Sequence, residues 1–259
     1  MKPVRLNPSR RVKPWGSKNL EPLFPEARRK IGEIWYRRSP SFPILVKFLF
    51  TSKNLSVQLH PDGVSGKTEM WHILKAEPGA RIAIGFEKPI RRQELEQACR
   101  SGEIVELLRW TPVAAGQTYF VPARTVHAIG AGISLCEIQQ NSDITYRLHD
   151  FELGRELHLE QAVPIARLNR HPGASAPKMM ADGRALLARC EYFATESIAG
   201  RGSVQVQGED SQLLIFLEGK GKIGASSFSA GEVWFLPPEA GSVRIIPAGF
   251  LRALRTYVP

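Results

Sequence analysis

The apolar positions of this chain fall into short runs rather than helical stripes. Residues 44–50 form a nearly continuous apolar stretch, and residues 55–60 follow as a second strand-like segment. Residues 71–74 and 81–86 read as the next two strands, parted by the turn signal Glu77, Pro78 and Gly79. The β pattern breaks over 90–110. Residues 91–99 read as a helix stopped by Ser101 and Gly102, and 103–110 as a second short helix or a strand. From Val113 the β pattern resumes, with 119–121, 128–129 and 134–139 at short, regular spacing. Residues 1–43 are rich in Pro, Arg and Trp and show little periodicity.

A second series of strands begins at Leu186 and includes 213–217 and 233–236. Between the two series, residues 151–177 read as a connector, helical over 157–162 and turning at 169–173. Gly231 and Pro237 stand six apart, as do Gly116 and Pro122, so the second half is a degraded echo of the first; no histidine follows His171. The expected fold is all-β, two jelly-roll barrels with a small helical insertion near 90–110. The expected division is an N-terminal arm, 1–43, packing on the first barrel; a metal-binding catalytic barrel, 44–150; a connector, 151–177; and a second barrel without metal ligands, 178–259.

Four residues carry the chemistry. Gln58 and His60 are two apart in one strand-like segment and so point to one face. Glu69 belongs to the returning strand, and His127 comes from a segment some sixty residues later. One amide oxygen, two imidazoles and one carboxylate form a mixed N/O shell suited to a divalent first-row metal. A lone strand histidine is more often a hydrogen-bonded core residue, and a Gln-x-His pair alone is weak. The second segment strengthens the case: Gly116, then Pro122, then His127.

That order of glycine turn, proline turn and histidine resembles the second cupin motif, and the segment with Gln58 and His60 resembles the first, Gln replacing its first His. The stretches 55–62, 66–71 and 137–147, with 122–130 and 32–35, resemble type I mannose-6-phosphate isomerases in their short bacterial or archaeal form. The resemblance is strong from about Trp15 to Asp150 and weak beyond, where that family carries a second cupin without ligands. It implies a zinc-dependent aldose–ketose isomerase that interconverts mannose 6-phosphate and fructose 6-phosphate through a cis-enediol. It makes Gln58, His60, Glu69 and His127 the zinc ligands, Lys67 and Arg147 active-site cations, and Ser56 a residue that holds the substrate phosphate. Such a reaction needs a base at C1 and C2 and a positive environment for the enediolate. Lys67 assists proton transfer if burial lowers its pKa; the base itself stays open, with Glu137 and Asp143 near in the motif.

Two departures from the family bear on the substrate. The segment between Asp62 and Lys67 is short, which leaves the pocket more open or changes which sugar fits. Arg124 stands where the cupin motif usually has Gly. In a left-handed backbone it costs about 1 kcal/mol relative to Gly. Either it takes another turn type, or its side chain reaches the pocket mouth and adds a cation for phosphate. His72 and His149 read as structural, and Trp15 and Trp35 as packing residues.

Composition narrows the rest. The chain has 259 residues, 43% hydrophobic, enough for one large or two small cores. No apolar window suits a membrane span, and no signal peptide is apparent at the start. Cys99, Cys136 and Cys190 are odd in number and widely spaced, which favours a reducing cytoplasm over a disulfide framework. The formal charge of +10 is scattered in small clusters such as Arg10-Arg11 and Arg91-Arg92, without a nucleic-acid-binding motif. The expected partner is a small sugar phosphate, with no nucleic acid or membrane, in a monomer or homodimer. The competing readings are a metal-dependent cupin oxygenase and a non-catalytic sugar-phosphate-binding cupin. Lys67, Arg147 and the 137–147 run are features that an oxygenase does not need.

Overall fold

The computed structural model describes residues 2–207 and 210–259. The first half builds twelve strands: β1 (Val4–Arg5), β2 (Ser9–Ser17), β3 (Ile31–Arg37), β4 (Ile44–Phe50), β5 (Val57–Leu59), β6 (Glu69–Ala76), β7 (Arg81–Phe86), β8 (Leu108–Pro112), β9 (Thr118–Val121), β10 (His127–Ile129), β11 (Ile133–Gln140) and β12 (Tyr146–His149). Eleven of them, β2 to β12, pair into a six-stranded sheet, β2-β3-β4-β11-β6-β9, and a five-stranded sheet, β12-β5-β10-β7-β8. Every pairing is antiparallel.

The strand β4 shows how sequence becomes layer. All seven of its residues are buried. Ile44, Val46, Phe48 and Phe50 point away from the first barrel into a core shared with Leu213, Ile215, Phe235 and Leu254 of the second half. Leu49 points the other way, into the barrel, with Trp71, Ile73, Ile84, Ile129 and Leu135. A strand covered on both faces is apolar at nearly every position, which explains the unbroken run. Lys47 is the exception, and it faces the barrel interior with Leu49 by the two-residue period.

The same alternation sorts the opposite sheet. Val57 and Leu59 of β5, Val126, Ala128 and Leu148 face outward, under the helix α1 (Arg92–Ser101), Ile104 and Ala162. Gln58, His127 and Arg147 therefore face inward. The expected helical insertion is present, and it covers the outer face of the five-stranded sheet. The ambiguous 103–110 stretch is both things in turn, a short helix Ile104–Leu107 and then strand β8.

The second half pairs a seven-stranded sheet with a four-stranded one. Their interior holds Ile198, Leu214, Phe216, Phe228, Trp234 and Ile245, with Phe216 and Phe228 stacked at 3.8 Å. The echo between the halves has a backbone counterpart: Gly116 and Gly231 both adopt left-handed φ, 89° and 86°, which glycine alone takes without steric cost. Residues 1–43 do more than pack on the first barrel as an arm. They supply β2 and β3 to the six-stranded sheet, and β1 pairs with Val233–Leu236 in the second half. Tyr36 adds a tie between halves, its hydroxyl donating to Gly231 O at 2.6 Å.

Candidate metal centre and active site

Two cross-strand rows line the barrel. On the six-stranded sheet, Trp35, Lys47, Glu137, Trp71 and Tyr119 are successive partners across β3, β4, β11, β6 and β9. On the five-stranded sheet, Arg147, Gln58 and His127 are successive partners across β12, β5 and β10. Direct partners share a face, so each row presents its side chains together.

Between the rows, His60, Glu69 and His127 converge, their ligand atoms all within 4.8 Å of one another. His60 Nε2 lies 3.6 Å from Glu69 Oε2, and His127 Nε2 lies 3.5 Å from Glu69 Oε1. All three are buried. Each imidazole places its other nitrogen on a backbone carbonyl: His60 Nδ1 on Ile144 O and His127 Nδ1 on Thr125 O, both at 2.9 Å. Carbonyls only accept, so Nδ1 carries the proton and the Nε2 lone pairs face the common point. Burial keeps both rings neutral, lowering His127 to about 4 and His60 well below 6.5, with Lys67 pushing His60 the same way. Glu69 Oε2 is paired with Lys67 Nζ at 2.6 Å. Two neutral imidazoles with fixed tautomers and a carboxylate converging on one point are a donor set that suits a divalent metal.

Gln58 stands beside them. Its Nε2 is 3.3 Å from His127 Nε2, and its Oε1 accepts from Ser56 Oγ at 2.8 Å. A hydroxyl can donate or accept, so Ser56 serves either orientation of the amide, including the one that turns Oε1 inward. Ser56 is fully buried and does not line the cavity. The structure places it behind Gln58, as a support for that side chain.

The cavity next to this group has a volume of about 80 Å³. Three roomier clefts, about 500, 420 and 400 Å³, lie around Arg167–Ser175, around His72 and around Pro40–Pro43, and none is lined by the converging ligands. Gln58, Lys67, Glu69 and Arg147 line the small cavity as expected, together with Trp15, Lys13, Glu33, Lys47, Glu137 and Arg155. Lys67 and Lys47 both lie 3.3 Å from Glu137 Oε1, and Lys67 is also 3.1 Å from His60 Nε2. Against the effect of burial, the Glu137 and Glu69 carboxylates raise the Lys67 pKa, so the condition for its part in proton transfer, a lowered pKa, is not met. Burial and the Lys67 charge lower that of Lys47 instead. Burial and the nearby Glu137 push Glu69 up to about 7. Glu137 is held below its ordinary value because Lys67 and Lys47 outweigh its burial.

Arg124 is not brought to this cavity. Its backbone is left-handed, φ 68°, and its Nε donates to Ile165 O at 2.8 Å. The turn that holds Arg124 N on His60 O, 2.7 Å, directs the side chain away from the barrel and toward the 165 segment. Sequence reasoning missed Lys47, Glu33, Lys13 and Arg155. The lone Lys inside an apolar run was the signal available for Lys47; Arg155 lies in a loop and offered none.

The comparisons with known proteins point one way. No family model matches the chain. The mannose-6-phosphate isomerase of Streptococcus mutans is 35% identical over 221 residues, 79% of this chain and 69% of that protein. The mannose-6-phosphate isomerase ManA of Bacillus subtilis is 32% identical over 249 residues, 87% of this chain and 78% of that protein. Among solved structures, the Bacillus subtilis mannose 6-phosphate isomerase superposes with a TM-score of 0.88 at 24% identity, covering all of both chains. A zinc-bound mannose 6-phosphate isomerase superposes at 0.79 with 15% identity, again over both whole chains. The fold and site define an all-β isomerase with a metal-suited centre. The chain belongs to the mannose-6-phosphate isomerase family.

Proposed function

We propose that the protein interconverts mannose 6-phosphate and fructose 6-phosphate through a cis-enediol, with one zinc ion held by Gln58, His60, Glu69 and His127. The observation that carries this reading is the convergence of His60, Glu69 and His127 beside a cavity that Lys67, Glu137 and Arg147 also line. When bound, the ion supplies Lewis-acid polarisation of the sugar oxygens at C1 and C2.

The chain's own residues account for the rest. Lys67 stays protonated between two carboxylates and offers a fixed positive charge where the enediolate oxygens develop. Arg147 adds a second fixed charge from the opposite sheet. The proton moving between C1 and C2 falls to the Lys47–Glu137 pair. Burial and the Lys67 charge weaken the hold of Lys47 on its proton, so its neutral amine can take the proton from C2 and the resulting ammonium can return it at C1, with Glu137 holding the amine in place. Trp15, Leu49, Leu55 and Ile129 form the apolar side of the cavity and keep water from the intermediate. A cytoplasmic location fits the three unpaired cysteines.

The test is formation of fructose 6-phosphate from mannose 6-phosphate by the zinc-loaded protein. Activity lost in both His60→Ala and Arg147→Ala supports the reading. No turnover by a protein with stoichiometric zinc refutes it.

A further inference from the structure

We propose that Arg155 binds the substrate's phosphate in a two-arginine clamp with Arg147, and that Asp150 sets the spacing of the two guanidinium groups. This rests on the isomerase reading above and puts the phosphate contact on residues that line the cavity, which Ser56 and Arg124 do not.

Both side chains line the cavity of the candidate active site. They converge on one carboxylate. Arg155 Nη2 lies 2.5 Å and Arg147 Nε 3.6 Å from Asp150 Oδ1, while the Arg155 backbone N–H donates to Oδ2 at 2.6 Å. Asp150 is 8% exposed and so is fixed in place at both oxygens. Arg147 spends one further donor on Glu156 O, at 2.6 Å. What remains is a surplus of donors. Arg155 Nε is buried without an acceptor, and Arg155 Nη2 and Arg147 Nε both face a single oxygen, Asp150 Oδ1, outside hydrogen-bond geometry. Buried guanidinium N–H groups left in that state are costly, and an incoming anion is the group that satisfies several at once.

The charges are arranged to match. Deep in the cavity, Lys47 and Lys67 face Glu69, Glu137 and Asp143, and Lys13 faces Glu33, so no cation there is in excess. At the Arg147–Arg155 end, two cations share Asp150. A planar guanidinium presents paired donors that fit phosphate oxygens, so the excess charge is also the right shape.

Distance fits a hexose phosphate. Arg147 is opposite Gln58, and Gln58 is opposite His127. Two strand spacings, about 10 Å between main chains, separate Arg147 from His127. A sugar with C1 and C2 at the converging ligands extends its C6 substituent along that row toward the arginines.

An Arg155 that only braces the 150–158 segment through Asp150 predicts lower stability but no dependence on phosphate. The experiment therefore compares wild type, Arg155→Gln and Arg155→Lys, all zinc-loaded. It reads kcat and KM for mannose 6-phosphate, and separately the affinity for inorganic phosphate. The expected result for Arg155→Gln is a KM raised about 10- to 100-fold with kcat changed by less than about threefold, and phosphate binding weakened in parallel. Arg155→Lys keeps the charge without the fork and is expected to recover part of the loss. Unchanged KM and phosphate affinity in a folded Arg155→Gln overturns the clamp. Should that variant not fold, Arg155→Lys decides alone: a KM raised about fivefold or more supports the clamp, and an unchanged KM overturns it. The two readings fail separately. Wild type that binds inorganic phosphate through Arg155 but does not turn over mannose 6-phosphate refutes the isomerase reading only. Turnover with an Arg155-independent KM refutes the clamp only.

Discussion

Lys47 and Glu137 are direct cross-strand partners on β4 and β11, with Nζ 3.3 Å from Oε1 and side chains only 2% and 4% exposed. The ion pair is closed on its other sides by the Trp35 ring, 4.4 Å from Nζ, and by Lys67, which shares the same carboxylate oxygen. Charges so deep in a core are retained at a cost, because desolvation offsets most of the attraction between them. Removing one partner leaves the other buried beside fewer compensating charges. Lys47→Met is therefore expected to lower stability by about 3 kcal/mol, the smaller end of the range for broken buried pairs because Lys67 still faces Glu137. It is also expected to lower kcat by about 100-fold or more, since it removes the proposed proton carrier. Denaturant unfolding and steady-state kinetics on one preparation check both. Near-normal kcat in the folded variant removes Lys47 from the chemistry.

Metal removal is expected to act on stability as well as turnover. The ligands come from β5, β6 and β10 and the turn after β5, so a bound ion ties the two sheets of the first barrel together. A ligand present at a thousandfold excess over its Kd stabilises by about 4 kcal/mol. Chelation of the zinc-loaded protein is expected to lower the melting temperature, and re-addition to restore it. His127→Ala is expected to melt at the same temperature with and without zinc. A melting temperature in wild type that ignores zinc contradicts the metal centre.

The metal-free protein has a defined pH response. Burial lowers His72 and His127 to about 4 and His60 well below 6.5. Between pH 4 and 6.5 the unfolded chain protonates these imidazoles and the folded one does not. Their contribution is thus fully present above about 6.5 and is lost as pH falls toward 4. Glu137, depressed by Lys67 and Lys47 against its own burial, works in the same direction. Glu69 opposes them: raised from 4.5 to about 7, it costs stability as pH climbs through that interval. Three imidazoles outweigh one carboxylate, so the melting temperature is expected to rise from pH 4.5 to 6.5 and then level off. His72→Gln is expected to flatten the slope. Calorimetry across that window checks it, and a falling or flat curve in the wild type contradicts it.

The core between the halves is expected to be indispensable. Phe48 is fully buried on the face of β4 that meets the second half, in edge contact with Phe24 and Tyr36. Phe48→Ala removes a large buried ring with little room for collapse and is expected to cost about 3–5 kcal/mol. Urea unfolding measures it. A loss below about 1 kcal/mol shows that the two halves do not depend on each other through this face.

Much of this arrangement was legible because period-two alternation is a local property. Gln58 and His60 share a face by spacing alone, and the turn before His127 is marked by Gly116 and Pro122. What was not legible is mostly long-range. Lys47 meets Glu137 through a register between strands ninety residues apart in sequence, which no local pattern encodes. β2 was hidden because it is an edge strand, largely exposed, with Pro14 inside it and two breaks in its register against β3. The motif implies a phosphate role for Ser56 but not that its hydroxyl bonds Gln58. The sequence leaves the turn at Arg124 open between two conformations; the backbone is left-handed and sets its Nε on Ile165 O. Arg155 is set by a loop folding back onto Asp150, beyond the reach of any pattern in the flanking sequence.

The account stands or falls on whether the converging ligands and the isomerase activity are one site. The direct measurement is a zinc titration of metal-stripped protein, with bound metal and the rate of fructose 6-phosphate formation read on the same samples. Activity rising in proportion to zinc and saturating at about one ion per chain, with neither binding nor turnover in His60→Ala, is the predicted result. Full activity in the stripped protein, or zinc bound at one per chain without turnover of mannose 6-phosphate, contradicts it.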